Sequence, residues 1–129
     1  MIQGTQTSIV RSFSQADFDK FARLSNSDNP IYWGPGFSEG TRLARPMAHG
    51  LLLCSVIRGL VDRVVPGGRL KEQSVLFPSP TFAEEPMRFI VTVKRRGQDQ
   101  AEARLDFEFE VMRVEDGVVT CHGQGKVVV

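Results

Sequence analysis

The sequence predicts an α+β fold in a single domain spanning residues 1–129, an antiparallel sheet of about five strands wrapped around one long central helix. Three observations predict it. Met47 to Val65 is apolar on nearly every face, the pattern of a helix at the centre of a domain rather than on its surface. Four strand-like segments follow, separated by turn signals. Among them Leu105-Asp106-Phe107-Glu108-Phe109-Glu110-Val111 alternates strictly, which buries one face and wets the other.

Thr5 to Phe13 alternates weakly and is read as a first strand. Ser14 then has the character of a helix N-cap, with Asp17 in the first turn where negative charge suits the helix dipole. Phe18, Phe21 and Ala22 follow at helical spacing, giving a short amphipathic helix from Gln15 to Ser25. From Asn26 to Pro46 the composition turns to Asn, Asp, Pro and Gly; Trp33, Phe37 and Leu43 give this long loop apolar anchors, so it is expected to be ordered. Pro66-Gly67-Gly68 ends the central helix. The later strands are expected over Leu70 to Phe77, Met87 to Arg96, Ala101 to Val114 and Val118 to Val129. Pro78-Ser79-Pro80, Gly97-Gln98-Asp99 and Glu115-Asp116-Gly117 punctuate them. A helix fully enclosed by such a sheet is the hotdog arrangement, and its open sheet edges suggest pairing with a second copy.

Composition narrows the function classes. The chain has 129 residues, 41% hydrophobic and 24% charged, ordinary for a soluble globular protein, with a net charge of +1. That balance gives no case for nucleic acid or an anionic membrane as partner, and the Lys94-Arg95-Arg96 cluster reads as a solvated hairpin end. Cys54 and Cys121 lie in apolar stretches and are expected to be buried thiols in a reducing cytoplasm. The first ten residues lack the layout of a signal peptide. His49, Arg58, Asp62 and Arg63 interrupt the longest apolar stretch, Met47 to Val65, which fits a buried helix better than a transmembrane span. No metal site is expected.

From Phe21 the chain reads F-A-R-L-S-N-S-D-N-P-I-Y-W and, after a spacer, R-L-A-R-P-M-A-H-G-L-L-L. This resembles the motif of the MaoC-like hydratases and dehydratases, S-G-D-x-N-P-x-H, a spacer, then R-P-I-x-H-G-M-L. The halves align without a gap, through Phe37, Arg45-Pro46 and His49-Gly50, and the strands after the central helix fit as well. The resemblance implies a hotdog fold and an (R)-specific enoyl-thioester hydratase or 3-hydroxyacyl-thioester dehydratase. In that family an Asp and a His hold the water that adds to or leaves C3 of the acyl chain, while a proton is exchanged at C2. A Gly at the start of the central helix offers its N–H to the thioester carbonyl, a fitting donor because the first N–H groups of a helix are unpaired and lie at its positive end. That Gly is Gly50 here. No cofactor is implied beyond the CoA or acyl carrier protein that carries the substrate.

The resemblance also implies that the working side chains differ. The family's Asp falls on Ser27, its His on Tyr32, and the helix Ser that enters many of these sites on Arg58. A Ser hydroxyl is no carboxylate base near neutral pH, and a phenol with an ordinary pKa of about 10 replaces imidazole poorly. Asp28 stands one residue from the vacated position and is either a substitute for it or a turn-former beside Asn29 and Pro30. Tyr32 is a proton donor or hydrogen-bond clamp, or packs beside Trp33. Arg58, on an apolar helix, calls for an acidic partner such as Asp28 or for an anionic substrate group. Asn29, Trp33 and His49 complete the expected substrate-binding set, with His49 holding the loop that delivers Gly50.

Two function classes follow. In the first the chain is a lyase-type enzyme that polarises an acyl thioester or related carbonyl compound at Gly50 and moves a proton through Tyr32 with Asp28 or Arg58. The outcome is hydration, dehydration, or a related addition or cyclisation. In the second it is a non-catalytic acyl-binding subunit, paired with a hotdog chain that keeps the Asp and His. A thioesterase is a weaker third.

Overall fold

The computed structural model describes residues 5–25, 48, 50–95 and 104–129. Strand β1 (Thr5–Arg11) is followed by helix α1 (Gln15–Leu24), the central helix α2 (Gly50–Val64), and strands β2 (Arg69–Leu76), β3 (Met87–Arg95), β4 (Arg104–Arg113) and β5 (Val119–Val128). The five strands form one sheet in the order β1-β3-β4-β5-β2, antiparallel throughout. The predicted architecture is present, with each end moved by only a few residues.

Local chemistry sets those ends. Ser14 caps α1 with a reciprocal box: its Oγ accepts from the Asp17 N–H at 3.1 Å, and the Asp17 carboxylate accepts from the Ser14 N–H at 2.9 Å. β1 stops at Arg11, and Phe13 turns inward to join the core instead of continuing the strand. Gly67 takes a left-handed backbone, φ 76°, which lets the chain leave α2 sharply and re-enter the sheet. The β4–β5 hairpin is held by Asp116, whose carboxylate accepts from Val118 N–H at 3.1 Å and from Arg113 Nη1 at 2.9 Å. The Val118 bond first, with Arg113 adding to it, holds that carboxyl below its ordinary value.

The core lies between α2 and the inner face of the sheet. Leu53, Val56, Ile57, Leu60 and Val61 project from α2 onto Phe89, Val91 and Val93 of β3 and onto Leu105, Phe107, Phe109 and Val111 of β4. Phe13 and Phe18 seal the α1 side, Phe13 meeting Phe89 edge-on at 6.2 Å. Where β5 runs beside β2 there is no room for side chains at two positions. A Cβ on Gly123 would lie 2.0 Å from the Ser74 carbonyl oxygen and 2.7 Å from Phe109 Cζ, and one on Gly125 would lie 2.5 Å from Phe107 Cζ. The stacked rings of Phe107 and Phe109 fill the space these glycines leave.

Two expectations about α2 are corrected. The helix begins at Gly50 and ends at Val64, and Ala48 stands outside it. Nor is it enclosed on all sides. Leu51, Ser55, Gly59, Asp62 and Arg63 form an exposed stripe, with Leu51 60% accessible. One sheet can cover one face of a helix, and an apolar sequence cannot say whether the other face is covered by this chain or by another. No helix among the described residues is long and apolar enough to cross a membrane.

Candidate active site

Gly50 is the first residue of α2, so its N–H has no acceptor within the helix and stands at the positive end of the helix dipole. Two contacts fix the chain there. The Ala48 N–H donates to the Thr81 carbonyl at 2.7 Å, tying the approach to α2 to the segment between β2 and β3. Phe77, the first residue after β2, lays the tip of its ring over Gly50: a Cβ at Gly50 would meet Phe77 Cζ at 2.7 Å. A glycine is therefore what the packing at this helix start permits. Thr81 is buried, and its hydroxyl has no hydrogen-bond partner among the described residues.

Arg58 lies two turns further along α2, roughly 12 Å from Gly50 at the usual helical rise. Its Nη2 donates to the Gly68 carbonyl at 2.9 Å, which draws the guanidinium towards the C-terminal end of the helix. Nη1 is buried without a hydrogen-bond partner among the described residues. Arg58 has no carboxylate partner among them either; a backbone oxygen receives part of its charge. The structure thus sets the Gly50 amide and the Arg58 guanidinium towards opposite ends of α2. Ser27, Asp28, Asn29, Tyr32, Trp33 and His49, together with the loop expected from Asn26 to Pro46, lie outside the described residues.

His122 and the acidic residues of β4 belong to the other face of the sheet. There Gln6, Thr92, Glu110, His122, Gln124 and Ser74 border an open trough of about 580 Å³. Part of its polar lining pairs across the strands, Gln6 with Thr92 at 3.1 Å, and Glu108 with the neighbouring Lys94 at 3.0 Å. This is the wet side of the alternation predicted for β4. Among the described residues no three His, Cys, Asp or Glu side chains gather as a metal site.

Phe77 and Thr81 were not candidates on sequence grounds. They flank Pro78-Ser79-Pro80, which announces a turn but says nothing of where the turn lands. The one available signal was an aromatic residue at the edge of that turn.

The MaoC-like domain model matches residues 3–114. The chain belongs to the MaoC-like family. It is 33% identical over 104 residues to an (R)-specific enoyl-CoA hydratase of Aeromonas caviae, covering 79% of this chain and 78% of that one. Among solved structures, the (R)-hydratase from A. caviae involved in PHA biosynthesis superposes with a TM-score of 0.86 at 26% identity, covering 98% of this chain and 96% of the other. The C-terminally truncated HadBC (3R-hydroxyacyl-ACP dehydratase) complex from Mycobacterium tuberculosis shares the fold, with a TM-score of 0.80 at 13% identity over 100% of this chain and 98% of that one. This is a hotdog protein of the hydratase and dehydratase kind.

Proposed function

We propose that this MaoC-like protein is a divergent lyase acting on an unsaturated or 3-hydroxy acyl thioester, or a related carbonyl compound. The observation that carries this reading is the placement of Gly50 as the first residue of α2, with its N–H free of any intrahelical acceptor. A thioester oxygen accepting from that N–H gains stabilisation as negative charge builds on it during proton exchange at C2. Oxygen at C3 then arrives from, or leaves as, water. Tyr32 gives and takes the proton, with Asp28 assisting and Ser27 at the edge of the site. Arg58, bonded to the Gly68 carbonyl towards the other end of α2, meets an anionic group of the substrate or its carrier. Asn29, Trp33 and His49 shape the loop over the acyl chain. The same polarised carbonyl serves a related addition or cyclisation where the acyl chain carries its own nucleophile. The chemistry calls for no cofactor other than the carrier, CoA or acyl carrier protein. The chain pairs with a second copy of itself, for which the uncovered stripe of α2 and the open β2 edge are the available surfaces.

A second reading, an acyl-binding subunit without catalysis, draws support from the two-component dehydratase complex that shares this fold and from Ser27 and Tyr32 standing where the family has Asp and His.

Purified protein offered crotonyl-CoA, longer enoyl-CoA esters and carrier-protein thioesters separates the two. The first reading expects turnover by the chain alone, slowed at least about 100-fold in Tyr32→Phe, the usual weight of a positioned proton donor. Lesser losses are expected in Asp28→Asn and Arg58→Ala. Turnover only in the presence of a second hotdog chain favours the subunit. Turnover undiminished in Tyr32→Phe removes Tyr32 from the mechanism.

A further inference from the structure

We propose that Phe77 is the apolar wall against which the acyl thioester is held at the Gly50 amide, and that it sets which acyl groups the site accepts. The proposal rests on the thioester reading above. The Phe77 ring reaches the space that a Gly50 side chain would occupy, 2.7 Å from the position of its Cβ. Covalent geometry then places the ring tip within roughly 5 Å of the Gly50 nitrogen. Every Cα–Cβ direction of a helix tilts towards its N-terminus, so this ring lies on the same side of α2 as the unpaired N–H. A carbonyl oxygen about 2.9 Å from that nitrogen brings its own carbon, and the atoms bonded to it, beside the ring.

Exposure and rigidity agree. Phe77 is 46% accessible, whereas Phe13, Phe18, Phe89 and Phe107 are 2% or less. An aromatic face of this size is left open beside the start of α2, where the Gly50 N–H has no acceptor within the helix. Its backbone is restrained, because Pro78 and Pro80 fix φ just after it, and the Thr81 carbonyl is bonded to Ala48 N–H at 2.7 Å. The donor and the wall are therefore held on segments tied to each other. A backbone N–H alone does not distinguish one carbonyl compound from another, and an apolar surface beside it does.

Calorimetric titration of the full chain with CoA, butyryl-CoA and octanoyl-CoA tests this, the saturated esters lacking the double bond and the 3-hydroxyl that hydration and dehydration need. Wild type is expected to bind both acyl esters more tightly than CoA. Phe77→Ala should weaken the acyl esters about ten-fold and leave CoA unchanged, while Phe77→Leu keeps most of the acyl affinity. Circular dichroism and the thermal midpoint establish that each variant is folded. If wild type prefers the acyl esters and a folded Phe77→Ala prefers them equally, Phe77 is not the wall, and the thioester reading stands without it. If wild type binds acyl esters no better than CoA, the thioester reading falls and this proposal with it.

Discussion

At the residue scale the two cysteines show how burial sets chemistry. Cys121 is fully enclosed in the core, and burial pushes its thiol up to about 12, with Cys54 nearby adding to the effect. Cys54 is raised as well, by burial. A thiol whose folded pKa lies above its unfolded one favours the fold fully below the unfolded value of 9.0, and that contribution disappears as pH rises from 9.0 towards 12. The thermal midpoint of wild type is therefore expected to fall with pH above 9 more steeply than that of Cys121→Ala. Parallel profiles for the two would show that Cys121 is not the titrating group. Gly50 was legible from the sequence at this scale, because a motif placed a glycine at a helix start and the helix itself supplied the reason. Phe77 was not, since its role depends on a contact between residues 27 positions apart.

At the element scale the alternation in β4 and the punctuation by Pro and Gly carried the prediction of the sheet. The register of Glu108 and Glu110 on the outer face, opposite Gln124 and His122 of β5, follows from that alternation. What the sequence did not express is the close approach of β2 and β5. The pattern Gly123-Gln124-Gly125 reads as an ordinary weak strand, but there the Ser74 carbonyl oxygen comes within 2.0 Å of a would-be Cβ on Gly123. Gly123→Ala is expected to cost roughly 2–3 kcal/mol, because the obstruction is backbone and cannot swing aside. Chemical denaturation measures this. A loss below about 0.5 kcal/mol would mean that β2 is held more loosely than its register with β5 implies. The overestimate of α2's enclosure has a similar origin: Leu51 counts as apolar in the sequence whether or not anything lies over it.

At the scale of the whole molecule, the fold places one helix end, one aromatic wall and one open strand edge on connected segments of the chain. β2 and the Phe77–Thr81 segment link the sheet edge to Gly50, so anything that pairs with β2 also bears on the site. The opposite face of the sheet, with its paired rows, provides solvation and register. On the proposed function, the Gly50 N–H is the group that meets the substrate carbonyl. Amide NMR of labelled protein titrated with butyryl-CoA tests it most directly. The Gly50 amide proton is expected to move downfield and to be among the largest shifts, while the amides around Glu110 and His122 stay in place. Saturable binding that leaves Gly50 unmoved and shifts the outer face of the sheet instead would contradict it.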